Sequence, residues 1–231
     1  MSNVQEFWRN MWNEHAESDS MFVQMGCSSY TPFEYFLTQK DIVDALQFQR
    51  DDMVLDAGSG VGWTSMYLSP FVKEIMIFDY AENMIEKAKR KIEHFGNISA
   101  VRDDILLMNN IKGRYFNKVI VNSVLQYLEN YKQVQTALSN IFSVMSQSSM
   151  ALFSRNPDMG RKKDHIESYS RLNWDNERIA RSLEFEEKRL WLDFNLVKDL
   201  ALETGFKKCY KVDINPTLWQ STHMFDFVVV K

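Results

Sequence analysis

The stretch Met53–Trp63, MVLDAGSGVGW, decides the fold. Met53, Val54 and Leu55 run into Asp56, and glycine then takes alternate positions at Gly58, Gly60 and Gly62. A short apolar run that stops at a turn reads as a buried strand. Glycine permits positive φ and lets a ligand approach the bare backbone. A glycine turn between a first strand and a helix is where doubly wound α/β folds bind nucleotides. The dinucleotide pattern GxGxxG accepts Gly58 and Gly60 but demands a small residue where Trp63 stands. The pattern present is Asp-x-Gly-x-Gly-x-Gly. Trp63 thus speaks against a nicotinamide dehydrogenase, which is kept as a third alternative.

Reading outward, strands and helices alternate. Thr31, Pro32 and Glu34 form a helix start, with a cap, a first-turn proline and an acidic residue three after the cap. Phe36, Leu37, Ile42, Val43 and Leu46 then recur at helical spacing. After the glycine turn, WTSMYLSPF predicts a helix ending near Pro70. EIMIFD predicts a second strand ending in Asp79. AENMIEKAKRKIEHFG predicts an amphipathic helix closed by Gly96. ISAVRDDI, NKVIVNSVLQYL and SMALFSRNP predict strands three to five, with the helix YKQVQTALSNIFSVM before the fifth. FNLVKDLALETGF predicts a helix stopped by Gly205, and KKCYKVDI and MFDFVVVK two closing strands. Such alternation implies an α/β, doubly wound, mostly parallel sheet covered on both faces. We read one domain over 1–231, with an N-terminal helical cap over 1–48. The charged stretch 158–191 is an insertion after the fifth strand.

Composition narrows the classes. The chain has 231 residues, enough for one α/β domain with a full core. With 45% hydrophobic and 25% charged residues it reads as globular. A net charge of −4 leaves no electrostatic footprint for nucleic acid. Cys27 and Cys209 stand far apart with no zinc spacing, so no metal site and a reducing compartment are expected. The opening MSNVQEFWRNMWNEH lacks the basic-then-apolar pattern of a secretory leader, and no apolar run reaches membrane-spanning length. A cytoplasmic location without membrane association is the expectation, as a monomer or homodimer.

VLDAGSGVG resembles the first motif of the class I S-adenosylmethionine-dependent methyltransferases, and the likeness extends along the chain. It implies the family's seven-stranded sheet with an antiparallel last strand, and S-adenosylmethionine as cofactor with S-adenosylhomocysteine as product. In that family the loop holds the methionine part of the cofactor, which implicates Asp56, Gly58, Ser59 and Gly60. Asp79 takes the family's acidic position at the end of the second strand, facing both ribose hydroxyls, with Tyr80 and Met84 after it. At the end of the third strand, Asp104 with Ile105 takes the adenine position, and Asp103 is the runner-up. Asn122 and Ser123, after the fourth strand, take the position near the methionine ammonium.

Methyl transfer from a sulfonium needs nucleophile, methyl and sulfur in line, and a proton acceptor for oxygen or ammonium-type nitrogen. The four histidines limit the bases. His165, in the insertion, and His223, before the last strand, are the catalytic candidates; Tyr30, Arg155 and Asp158 are weaker pocket candidates. GRKKDH, residues 160–165, reads as a solvated loop before it reads as an anion site. Trp8 and Trp12 read equally as core or as a cover for the cofactor. No Asn/Asp-Pro-Pro-Tyr follows the fourth strand, and no Pro-Cys nucleophile is present. FSRNPD and NPTLWQSTHMFDFVVVK are similar to small methyltransferases of bacterial polysaccharide and secondary-metabolite pathways. That similarity implies O-methylation of a small-molecule hydroxyl, such as a sugar or glycan precursor, with the insertion as a lid. A small-molecule N-methyltransferase and a non-catalytic cofactor-binding module stay open.

Overall fold

The computed structural model describes residues 2–172 and 174–231. Seven strands form one sheet: β1 (Met53–Ala57), β2 (Glu74–Asp79), β3 (Ile98–Arg102), β4 (Phe116–Asn122), β5 (Met145–Pro157), β6 (Lys208–Val212) and β7 (Met224–Val230). Their order is β3-β2-β1-β4-β5-β7-β6, and β7 runs antiparallel to both of its neighbours. The expected sheet is therefore present, antiparallel last strand included.

The sheet is buried on both faces, and alternate residues serve opposite sides. Leu55, Met76, Val119, Ala151 and Phe227 point to one core, covered by α6 (Tyr131–Val144) and α9 (Phe194–Thr204). Val54, Ile75, Ile120, Leu152 and Val228 point to the other, covered by α3 (Pro32–Leu46), α4 (Trp63–Leu68) and α5 (Glu82–Ile92). Helix α3 opens on the expected capping box, with both Thr31 and Glu34 engaged. It presses Ile42 and Leu46 onto the sheet. Only α1 (Asn3–Glu17) and α2 (Met21–Gln24), from the N-terminal segment, lie beyond it, with Ala16 of α1 packed against Val61, Ala81 and Met84.

Gly205 ends α9 at φ 112°, as expected, but Gly96 does not close α5. That helix stops at Ile92, and the turn runs on to β3 with no left-handed glycine at 96. The stretch 158–191 carries α7 (Lys162–Ser168) and α8 (Asn176–Lys188). No helix among the described residues is long and apolar enough to cross a membrane.

Candidate active site

The C-terminal ends of the parallel strands open into a cavity of about 1070 Å³. Its first wall is the glycine turn. Gly58 sits at φ 72° and packs so tightly on the turn after β4 that a Cβ there would run into Val124. The amides of Gly58 and Ser59 donate to the Phe78 carbonyl at 2.9 and 3.0 Å, tying the turn to the end of β2. Asp79 completes the tie. Its Oδ2 accepts the Gly60 amide at 2.9 Å, and its Oδ1 accepts the Ala81 amide at 2.8 Å. Burial pushes the Asp79 carboxyl up to about 6 against the pull of these bonds. Each oxygen keeps acceptor capacity for a further donor.

Of the eleven residues expected at the cofactor, nine line this cavity: Gly58, Ser59, Gly60, Asp79, Tyr80, Asp104, Ile105, Asn122 and Ser123. Two do not. Asp56 turns away from the loop, is buried, and takes the Ser65 hydroxyl at 2.6 Å, so it anchors the start of α4 from behind. Met84 is fully buried in the cluster with Ala16, Val61 and Ala81, beneath Gly60. Both side chains are buried behind the turn and take no part in the cavity lining.

The third strand's two aspartates divide the work. The Asp103 carboxylate accepts the amides of Asp104, Asn109 and Asn110 at 2.8, 3.1 and 2.7 Å, which closes the following loop. Asp104 engages one oxygen, with the Leu106 amide at 2.9 Å. Both aspartates line the cavity, and Asp104 is the one with more acceptor capacity to spare. At the end of β4, Ser123 adopts φ 60° and donates its amide to Ser154, while the Asn122 side chain accepts the Ser154 hydroxyl at 2.8 Å. Gln126 donates to the Ser123 carbonyl at 3.2 Å and leaves its own Oε1 without a partner. The Tyr80 hydroxyl is likewise buried without a partner, and its ring lies 5.7 Å from the Arg9 guanidinium.

Of the opposite wall, the sequence pointed only to Tyr30 and Arg155, as weaker pocket candidates. That wall is built by Cys27 and Tyr30, by Tyr127, by Arg155 at the end of β5, by Phe185, Glu186 and Arg189 of α8 and the residue after it, and by Gln220. No common spacing links these residues, so only the fold assembles them. Arg155 stands out because β5 bulges between Phe153 and Asn156 and Arg155 takes φ 61°. Burial drives the Cys27 thiol up to about 11 and raises the phenols of Tyr30, Tyr127 and Tyr169 above their usual range.

The two histidines expected to be catalytic are brought together but not to the cavity wall. His165 and His223 stack with ring centroids 3.9 Å apart, both almost wholly buried. His165 Nε2 lies 3.1 Å from the Tyr169 hydroxyl and 3.4 Å from Glu186 Oε1. Burial, with the like charge of His165 beside it, lowers His223 to about 3. The helical turn of 162–168 points His165 inward behind Tyr169, which lines the cavity instead. Asp158 spends a side-chain oxygen on the Gly160 amide and pairs with Lys211, off the cavity. Lys163 of the basic run is 86% exposed, as a solvated stretch requires. Trp12 lines the cavity, whereas Trp8 is core, packed on Tyr127 and Phe185. Among the described residues no cluster of His, Cys, Asp and Glu is placed to hold a metal ion.

Comparison with known proteins agrees with this geometry. Residues 54–148 match the family described as methyltransferase domain. Nodulation protein S of Sinorhizobium fredii is 23% identical over 99 residues, 43% of this chain and 45% of that protein. The match thus spans less than half of that curated relative. The N-methyltransferase NodS of Bradyrhizobium japonicum, solved with S-adenosylhomocysteine, superposes with a TM-score of 0.65 at 14% identity, covering 100% of this chain and 99% of that one. A phosphoethanolamine N-methyltransferase of Haemonchus contortus, solved with phosphoethanolamine and S-adenosylhomocysteine, gives a TM-score of 0.71 at 16% identity, covering 100% of this chain and 50% of that one. At such identities the likeness is one of fold. Residues 54–148 thus match a methyltransferase domain, and the chain has the fold of the class I S-adenosylmethionine-dependent methyltransferases.

Proposed function

We propose that the protein transfers the methyl group of S-adenosylmethionine to a nitrogen of a small molecule. When bound, this cofactor supplies a methyl on a cationic sulfur, whose departure needs no acid. The chain's own residues then have to orient and enclose. Asp79 is suited to accept the ribose hydroxyls, Asp104 the adenine amino group, and the Asn122–Ser123 turn the methionine ammonium. Gly58 lets the turn close against Val124, and the bare backbone of Gly60 leaves the loop open to the carbon chain.

The choice of nitrogen rests on one observation: no imidazole lines the cavity among the described residues, and its acceptor end carries buried or half-buried phenols and a half-buried thiol. Its phenols and the Cys27 thiol are held protonated by burial. Glu186 is held below the usual carboxylate range by His165, Arg189 and Tyr169, which outweigh its own burial. An alcohol needs its proton taken as it attacks, and this wall is poorly equipped for that. An amine that enters the cavity unprotonated attacks with its own lone pair and sheds a proton afterwards, which sets it apart from an alcohol and from an ammonium. The two solved structures compared above are both N-methyltransferases, which supports the same reading. The hydroxyl acceptor expected from sequence similarity is thereby the weaker choice. We read α8 as the lid, because Phe185 and Glu186 stand on the acceptor wall.

The test is a product assay with methyl-labelled S-adenosylmethionine against paired panels of small amines and hydroxyl compounds, with fragmentation locating the label. Methylated nitrogen is the expected product. Label on oxygen alone would overturn the choice of atom, and binding of NADH in place of S-adenosylhomocysteine would overturn the reading altogether.

A further inference from the structure

The stacked pair His165 and His223 takes no part in the cavity wall, yet it supports a residue that does. Trp219 opens the helical turn of 219–222 just before β7. Its ring centroid lies 4.4 Å from that of His223 and 5.2 Å from that of His165. Buried Trp191 packs on His165 in turn, with centroids 5.5 Å apart. Trp219 thus rests on a buried aromatic stack, but it is itself 47% exposed and lines the cavity. Two more rings line the cavity while half-buried, Phe185 of α8 and Trp174. Trp174 layers on Tyr169 at 5.8 Å and carries the Arg178 guanidinium 3.9 Å from its ring centre, which fixes its orientation. Rigid rings that open onto a cavity match a flat apolar partner, by offset stacking or edge contact.

The polar groups around these rings decide the charge of that partner. An ammonium that leaves water needs a free carboxylate to hold it and a base to take its proton. The carboxylates lining this part of the cavity are already engaged. Glu186 pairs with Arg189 at 3.2 Å and accepts the Tyr169 hydroxyl at 3.0 Å. Glu177 pairs with Arg181 at 3.3 Å, and Asp175 caps α8 through the Arg178 amide at 2.7 Å. The Arg178 guanidinium adds a positive charge beside Trp174. An alkyl amine, with a pKa near the lysine value of about 10.4, is almost wholly ammonium at neutral pH. An aryl amine or a heteroaromatic ring nitrogen is neutral there, because ring conjugation or an sp² orbital lowers its basicity. Such a nitrogen brings a flat ring and an unprotonated lone pair together.

We infer that the acceptor is an aromatic or heteroaromatic amine, its ring laid against Trp219 and its neutral nitrogen turned to the methyl donor. This rests on the reading of the cavity as a nitrogen-methylating site and names the substrate class of that site. The nitrogen lone pair forms the new N–C bond as the C–S bond breaks, and that electron pair returns to sulfur. A ring nitrogen keeps the positive charge so gained, whereas an aryl amine then loses one proton to water. Neither course requires a base on the wall.

The experiment is calorimetry on the full chain, first with S-adenosylhomocysteine, then on the loaded protein with quinoline and 1-naphthylamine. Cyclohexylamine and glucosamine serve as aliphatic comparators. Saturable binding of an aromatic probe, about tenfold or more tighter than either comparator, is expected. Trp219→Ala should weaken that binding about tenfold or more, and Trp219→Phe, which keeps a ring, about threefold or less. Both variants should leave S-adenosylhomocysteine affinity within about twofold. With saturating methyl-labelled S-adenosylmethionine, transfer to the aromatic probe that binds should proceed at a rate flat between pH 7 and 9, since no proton has to leave before attack. Binding by neither aromatic probe, tighter binding of an aliphatic comparator, equal binding by wild type and Trp219→Ala, or a rate that climbs with pH would overturn the inference while the methyl-donor site stands. Failure of S-adenosylhomocysteine itself to bind would instead remove the methyl-transfer reading on which the inference rests.

Discussion

The Gly60 amide donates to Asp79 Oδ2 at 2.9 Å, so the glycine turn after β1 and the acidic end of β2 form one unit. The carboxylate shapes the loop on the cavity wall while keeping lone pairs for the further donor that we propose to be the cofactor ribose.

Asp79→Ala is therefore expected to weaken S-adenosylhomocysteine binding about a hundredfold or more, with Asp79→Asn intermediate, because it removes an acceptor and loosens the loop together. Calorimetry of both variants checks this. The Asp79 carboxyl stands at about 6, so protonation below that pH turns an acceptor into a partial donor. Wild-type affinity should fall as pH drops through that value, and a flat affinity from pH 5 to 8 would contradict the assignment.

Gly58→Ala should destabilise the fold by about 1–3 kcal/mol, from the strain of positive φ and the collision with Val124. Combining it with Val124→Ala should recover the collision part alone. Denaturant unfolding of the single and double variants separates the two contributions.

Asp56 tests the cost of a buried charge. Burial raises its carboxyl to about 6, above the ordinary unfolded value of 3.8. The folded state thus prefers the protonated form, and stability falls as pH rises from about 4 to 6 and stays lower above. Asp56→Asn keeps an acceptor for the Ser65 hydroxyl and removes that charge. It should stabilise the protein by about 1–2 kcal/mol at pH 8, with the gain vanishing near pH 4. Melting curves across that range decide the matter.

His223 is held neutral, with a pKa lowered from 6.5 to about 3. Its contribution to stability is therefore complete above pH 6.5 and is lost as pH falls below it, when the unfolded imidazole takes a proton that the folded one refuses. If burial defines its role, His223→Asn should lower stability yet leave the shape of the pH–rate profile between pH 6 and 9 unchanged. A shifted limb in that profile would restore His223 as a proton acceptor.

The amino-acid order alone determined the local devices. Apolar runs ending in Asp56, Asp79 and Asp103, the glycines at 58, 60 and 62, and the box at Thr31–Glu34 act through neighbours within a few residues. Their periodicity carried the sheet, and the resemblance to the methyltransferase family pointed to nine residues of the cavity wall. Tertiary packing decided what periodicity does not contain, namely the direction each side chain takes and what it meets. It turned Asp56 back onto Ser65, sank Met84 beneath Gly60 and stacked His165 on His223 behind the wall. Most of the other end of the cavity came from that level, the sequence having pointed only to Tyr30 and Arg155 there. Cys27, Gln126, Arg155, Arg189 and Gln220 lie far apart along the chain and meet only once a bulge in β5 and the placement of α8 have been set by burial. Their convergence is a property of the closed core, because burial is non-directional and leaves no periodic mark on the residues that it gathers.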